Sequence, residues 1–280
     1  MTPTWTSDKA PTPVKIGVGG VVRAVLRGVP LLLLTSTCLI LMLLLRLIEQ
    51  PIYGVRRPFT PYLTLFVCRN AFRILGMGYS AEGEIMRHKG AVVANHGSWL
   101  DIFALNAQNR IYFVAKAEVA SWPGIGWLAR ATGTVFIARK VTDAHKHRDT
   151  FTERLLAGHK LLFFPEGTST DALRVLRFKS TLFAAFLTEK IKPEAWVQPV
   201  SVVYTAPEGA PVDFYGWWGD MSFGPHMLKV LAARKAGSVK VIYHPPYRAA
   251  DYDCRKKLAA DCEAAVRSGV EKTLGDTYAG

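Results

Sequence analysis

A histidine and an aspartate five positions apart, His96 and Asp101 in VVANHGSWLD (92–101), directly follow a strand-like apolar run. A carboxylate on one imidazole nitrogen fixes the tautomer and steadies the cation that forms. The other nitrogen is then free to take a proton from a hydroxyl, and histidine both takes and releases a proton near neutral pH. Asp101 also has a plainer use. Ser98-Trp99-Leu100-Asp101 has the S-x-x-[DE] form of a helix start, in which a serine caps the helix and a carboxylate supports its amides. The two uses are compatible. A second group, Phe164-Pro165-Glu166-Gly167-Thr168, closes another apolar run. It offers a turn, a carboxylate, a glycine for close backbone approach and a hydroxyl, which suit a polar headgroup. A third stretch, GTVFIARK (133–140), ends in Arg139 and Lys140, side chains able to hold a phosphate, arginine bidentately. No G-x-S-x-G elbow occurs and no cysteine sits near these groups. Ser98 remains the one candidate for a covalent nucleophile, since serine needs an adjacent base.

These groups need elements to carry them. Short apolar runs at 90–95, 134–139, 160–167, 196–204 and 238–247 read as buried strands. Helical stretches lie at Leu100–Ala107, His145–Ala157, Leu182–Glu189 and Asp251–Thr273, the last with Arg255, Lys256 and Lys257 on a basic face. Strands alternating with helices imply an α/β sheet. His96 then sits where a strand ends, the usual site location in such folds. Asp101 sits one turn into the next helix, facing back.

Composition bounds the rest. The 280 residues are 50% hydrophobic and carry a formal net charge of +13, which excludes wholesale disorder and favours anionic partners. The four cysteines form no C-x-x-C, Cys254 and Cys262 are too far apart in one helix to bridge, and reduced thiols are expected. No metal site is expected, His145 and His147 standing at i, i+2 on a helix. The run VPLLLLTSTCLILMLLL (29–45) has no charge and is flanked by Arg23, Arg27 and Arg46. Its length is at the short end for a membrane span, and the sequence around it does not look like a cleaved leader. A turn at 51–60 leads to a second apolar helix, 61–79, with Arg69 and Arg73 on one face, so the two form a membrane-seated hairpin. The expected organisation is an N-terminal tail with membrane-associated helices over 1–79 and a catalytic domain over 80–280.

In order and spacing these blocks resemble the glycerolipid acyltransferases, of the lysophosphatidate acyltransferase type. The resemblance rests on Asn95-His96 with Gly97, Ser98 and Asp101, and on Gly133, Phe136, Ile137 and Arg139. It rests also on Phe164-Pro165-Glu166-Gly167-Thr168, on VQPVSV with Pro199, and on Lys116, Glu118, Pro123 and Gly126 in FVAKAEVASWPGIGW. It covers roughly residues 80–205. It implies a mixed sheet flanked by helices, His96 as general base with Asp101 as its partner, and Arg139, Glu166, Gly167 and Thr168 in acceptor binding. It implies direct attack of a lysolipid hydroxyl on an acyl thioester of CoA or acyl carrier protein, with no cofactor, at the cytoplasmic face of the inner membrane.

One departure concerns the acceptor. Phosphate-handling members often follow Glu-Gly-Thr with an arginine, whereas here Ser169-Thr170-Asp171 follows, which reads as one cation lost and one anion added. Arg139 remains as a clamp, with Arg177 or Lys179 from LRFKS beside it. A subgroup that resembles this chain here acylates lyso-ornithine lipid. The expected acceptor is 1-acyl-sn-glycerol-3-phosphate, with lyso-ornithine lipid second. A non-enzymatic basic membrane-binding protein would explain the charge and the apolar run, but not His96–Asp101 together with Glu166-Gly167-Thr168. Nucleic-acid binding has no recognisable module to support it.

Overall fold

The computed structural model describes residues 4–8, 15–137 and 144–280, with backbone alone for 144–148. Seven strands form one sheet in the order β1-β7-β6-β2-β5-β3-β4, with a short β8 also paired to β6. They are β1 (Gly78–Glu82), β2 (Gly90–Ala94), β3 (Ile111–Lys116), β4 (Val135–Ile137), β5 (Lys160–Phe163), β6 (Trp196–Thr205), β7 (Ser238–Tyr243) and β8 (Tyr247–Arg248). β6 runs antiparallel to β7 and β8, while the other pairs are parallel, so the sheet is mixed as expected. Pro199 sits inside β6, where a lost N–H is normally costly. It falls where the partner changes from β8 to β7, and its carbonyl still accepts from His244 N at 3.0 Å.

Alternation along β2 sends Val92 and Ala94 into one core and Ala91 and Val93 into the other. The first core is closed by α2 (Thr60–Leu75), α3 (Asp101–Asn106) and α6 (Phe223–Ala232). The second is closed by α5 (Ala144–Leu156) and α7 (Arg255–Leu274). Helices on both faces explain why the central strands read as unbroken apolar runs.

The structure adds strands β1 and β3 and helices α4 (Ile125–Thr132) and α6. β1, GYSAE, lies at an edge with no residue fully buried, so its hydrophobic signal is weak. The sheet begins at Gly78, inside the stretch assigned to the N-terminal segment. Leu182–Leu187 winds as a 3₁₀ helix rather than an α-helix to Glu189.

α1 (Val18–Tyr53) is 36 residues, about 54 Å at 1.5 Å per residue. It continues through Pro51, so the turn read at 51–60 shortens to 54–59. It is long and apolar enough to cross a membrane, its most apolar 18 residues having a mean hydropathy of 2.5. Yet Gly20, Ala24, Cys38, Met42 and Glu49 form a buried stripe along nearly its whole length. Both ends are tied down, one to α6 and the other to the start of α2. Arg23 and Arg27, read from sequence as flanks of the membrane run, instead donate to the carbonyls of Ala232, Leu231 and Ala233 at the end of α6. At the other end the Glu49 carboxylate accepts from the amides of Phe59 and Thr60, from Thr60 Oγ1 and from Arg46. It thereby caps α2, whose own N-cap residue, Phe59, has no side chain able to do so.

That latch yields a prediction. Glu49→Ala leaves two helix amides and a largely buried arginine without their acceptor. It should lower stability by about 3 kcal/mol, the low end for breaking a buried charge pair. The check is the unfolding midpoint in detergent, and an unchanged midpoint contradicts the latch.

Candidate active site

β2 ends at Ala94 and the chain turns through Asn95-His96-Gly97-Ser98 before entering α3. Asn95 fixes the turn to β6, its Nδ2 donating to Val202 O at 2.9 Å and its Oδ1 accepting from Val202 N at 2.8 Å. His96 Nδ1 lies 2.7 Å from Asp101 Oδ2. The same oxygen accepts the amides of Gly97 at 3.0 Å and Ser98 at 3.1 Å. One carboxylate oxygen thus meets the backbone before α3 and the imidazole together, the geometry that both uses of Asp101 need. Its second oxygen, Oδ1, accepts from the Tyr204 hydroxyl at 2.6 Å. Burial, and next the Asp101 charge, push the Tyr204 phenol well above its ordinary range, so it stays a donor. The His96 ring stacks on Phe164 at 4.0 Å between centroids, and its side chain is 20% exposed. With Nδ1 committed, Nε2 is the nitrogen left for a substrate.

Ser98 is fully buried and its Oγ accepts from Leu100 N, a local turn bond that leaves it unsuited to attack a substrate. Gly97 is required by space, since a Cβ there would lie 2.6 Å from Ala172 Cβ. The outer wall of the turn comes from the chain after β6: Trp217 N donates to Gly97 O at 2.9 Å, and Trp99 Nε1 donates to His226 Nδ1 at 2.9 Å.

Glu166 is buried, and its two oxygens accept the amides of His96 at 2.9 Å and Leu176 at 3.0 Å. Burial pushes its carboxyl well above the usual range, the two amides pulling the other way and Asp101 adding to the rise. It holds the histidine turn from behind. Pro165 O accepts from Lys179 N, and Gly167 has φ +72° with the Lys179 ammonium lying over it, 2.8 Å from where a Cβ would stand. The Pro-Glu-Gly turn thus brings Glu166, Gly167 and Lys179 together. Thr168 Oγ1 accepts from Trp5 N at 3.2 Å, and the Trp5 ring stacks edge-on with Trp218 and lies under the Arg174 guanidinium. The anion counted at Asp171 is not free. Its carboxylate closes bidentately on Arg174, so the loop gains no net negative charge.

Phe136 sits half-buried in β4, paired with Ala115, and Lys116 ends β3 on the surface. Arg139 and Lys140 lie outside the described residues. Among residues that sequence reasoning missed, Tyr204 matters most. Its signal is a tyrosine near the end of a buried strand, which points to Asp101 only once β6 is known to neighbour β2.

The Acyltransferase family model matches residues 79–203. The lyso-ornithine lipid O-acyltransferase of Rhodobacter capsulatus is 53% identical over 268 residues, 96% of this chain and 97% of its own. The lyso-ornithine lipid O-acyltransferase of Brucella abortus is 34% identical, over 75% of this chain and 82% of its own. A 1-acyl-sn-glycerol-3-phosphate acyltransferase of Neisseria gonorrhoeae is 37% identical over 41% of this chain and 46% of its own. The crystal structure of the 1-acyl-sn-glycerophosphate acyltransferase PlsC from Thermotoga maritima shares the fold, with a TM-score of 0.57 and 22% identity over 89% of this chain and 98% of that one. A mixed sheet with helices on both faces, a histidine turn at a strand end and full-length similarity to named acyltransferases lead to one assignment: the chain belongs to the acyltransferase family and is a lysolipid acyltransferase.

Proposed function

We infer that the protein moves a fatty acyl chain from a CoA or acyl-carrier-protein thioester to the hydroxyl of lyso-ornithine lipid, with His96 as general base. The observation that carries the chemistry is the 2.7 Å contact of His96 Nδ1 with a fully engaged Asp101. The acceptor hydroxyl loses its proton to Nε2 as its oxygen attacks the thioester carbonyl. Asp101 steadies the imidazolium, and the departing thiolate takes the proton back. No acyl-enzyme is needed.

The order of acceptors expected from sequence reverses here. In sequence, the relatives named for lyso-ornithine lipid align along most of the chain, whereas those of Neisseria named for 1-acyl-sn-glycerol-3-phosphate align over less than half, although the PlsC fold spans most of it. The acceptor loop supports the same choice, because Arg174 is already closed on Asp171 and is not a free clamp for a phosphate dianion. An ornithine headgroup carries one carboxylate and one ammonium, a weaker electrostatic demand. Membrane lipids are the setting. In this reading α1 lies within one leaflet, because a helix bonded to α6 at Arg23, and latched at Glu49 to an α2 that itself packs in the sheet's core, cannot carry its middle across a bilayer. The catalytic domain faces the cytoplasm, where the +13 chain meets an anionic surface.

His96→Ala should keep the fold and lower kcat by about 10²-fold or more, the usual worth of a general base. Near-normal turnover in that folded variant refutes the assignment. The acceptor is tested by offering lyso-ornithine lipid and lysophosphatidate in identical mixed micelles with one thioester donor. A kcat/KM about tenfold or more in favour of lyso-ornithine lipid is expected, one good polar contact being roughly 1.4 kcal/mol. The reverse preference overturns the acceptor but not the transferase.

Two neighbours of the dyad can be separated by kinetics and stability. Tyr204→Phe leaves Asp101 Oδ1 buried without a donor, which should lower kcat by roughly tenfold while KM changes little. An unchanged kcat would mean Tyr204 only fills space. Glu166→Gln turns an amide group toward a backbone N–H and should cost about 1–3 kcal/mol in unfolding free energy. Denaturant unfolding reads it directly, and an unchanged midpoint contradicts the role given to Glu166.

A further inference from the structure

Between β3 and β4 the chain carries an apolar tip that the reaction does not use. Residues 120–129, ASWPGIGWLA, hold no charge. A 3₁₀ turn, Ala117–Ser121, leads through Trp122-Pro123-Gly124 into α4. Trp122, Pro123 and Gly124 are exposed, and Trp127 is 70% exposed. The tip is tightly built. Gly126 N donates to Trp122 O at 2.9 Å, Arg130 donates to Ala120 O at 2.7 Å, and a Cβ on Gly126 would press into the backbone of Ala120. The two indoles are therefore held outward by a folded segment. Such rings favour the boundary between lipid and water, with an apolar body and one polar N–H.

Two neighbours say what covers them. α4 packs against both α1 and α2, and Arg57 from the turn joining those helices donates to Ala131 O in α4. The tip is thus continuous with the helix whose Leu32, Leu33, Ile40, Leu44, Leu47 and Ile48 are exposed. On its other side Trp122 meets Trp217 edge-to-face at 6.3 Å, and Trp217 N bonds Gly97 O in the histidine turn. One element therefore touches the apolar helices at one end and the wall of the active site at the other.

We propose that the Trp122–Trp127 tip is a bilayer-contacting edge, seated in the headgroup region, across which the lysolipid acceptor passes from the membrane to His96. The proposal rests on the membrane-seated reading of α1. The occupant is lipid, because the patch extends a surface that already requires lipid; a second copy of the chain is the rival.

The experiment uses the full-length enzyme, Trp127→Ala and Trp127→Phe with phosphatidylcholine–phosphatidylglycerol vesicles. Long-chain lysolipid is presented in the vesicles, and a short-chain lysolipid is presented as monomer in solution. Trp127→Ala should raise the apparent KM for the vesicle-held acceptor by about fivefold to tenfold, the worth of an aromatic ring about half-buried in the headgroup region, with kcat/KM on the monomeric acceptor unchanged. Trp127→Phe should recover most of the loss. Vesicles with brominated acyl chains should quench wild-type tryptophan fluorescence more than that of Trp127→Phe. Equal losses on both acceptors, or no loss on vesicles, overturn the proposal. So does a wild-type dimer in detergent that Trp127→Ala dissociates. If the wild type itself does not pellet with the vesicles, the membrane reading of α1 fails; if it pellets and Trp127→Ala behaves like it, only the tip is refuted.

Discussion

The active site depends on a carboxylate that is fully out of water. An ionised Asp101 in that position is costly unless every lone pair it presents finds a donor. Four donors reach it, from three sources. Two are amides of the turn itself, one is the imidazole, and one is a phenol delivered from β6. Satisfying the carboxylate fixes the backbone of residues 96–98, the tautomer of His96 and the distance from β2 to β6 together. The Asn95–Val202 pair of hydrogen bonds holds that distance independently. A histidine that must accept a proton at one nitrogen needs such rigidity at the other, because a small rotation of the ring misplaces Nε2.

A second buried carboxylate, Glu166, faces the same turn from behind and is treated differently. It receives two backbone amides and no cation at hydrogen-bond distance, and burial pushes its carboxyl upward. Two negative charges close to one histidine would compete, so the pair is divided. Asp101 has the His96 ring and the Tyr204 hydroxyl, while Glu166 has two backbone amides at hydrogen-bond distance and the more distant charge of Arg267. Within the Pro-Glu-Gly-Thr motif, Glu166 thus has a structural task in the histidine turn. Its carboxylate orders the His96 amide, and the positive φ of Gly167 then brings Lys179 across the turn.

Much of this was legible in the sequence because the motifs are local. His96, Ser98 and Asp101 lie within one turn, and Pro165 to Thr168 within another, so spacing alone brings their side chains near. The strands carrying them are buried on both faces and announce themselves as apolar runs. Weakly signalled elements were missed, namely the edge strand β1, the short α4 with its glycines, and α6; β3 was missed although IYFVA is an apolar run, because it closely follows α3 and runs straight into the FVAKAEVASWPGIGW block. Tyr204 and Trp5 were missed for another reason. Each reaches the site across more than a hundred residues, through the order of strands or the path of the N-terminus, and no local pattern encodes that. The reading of Asp171 as a free anion failed similarly, because Arg174 three residues later folds back onto it.

The positive charge was legible in amount but not in use. Arg23 and Arg27 bind the terminal carbonyls of α6, Arg57 and Arg154 those of Ala131 and Gly133 at the end of α4, and Arg69 that of Ala107 after α3. Helix C-termini present unpaired carbonyls and a partial negative charge, and a guanidinium answers both. Around Arg154 the effect extends to His159, which burial first and Arg154 next hold neutral, its pKa lowered to about 3. Four of these arginines, Arg23, Arg27, Arg57 and Arg69, stand in or between α1 and α2. Part of the excess cation is therefore fastening, and it joins the apolar N-terminal helices to the helices around the sheet. That fastening makes the apolar N-terminal helices a fixed part of the fold around the sheet, so under the proposed mechanism a lysolipid held in the membrane and His96 keep a constant distance.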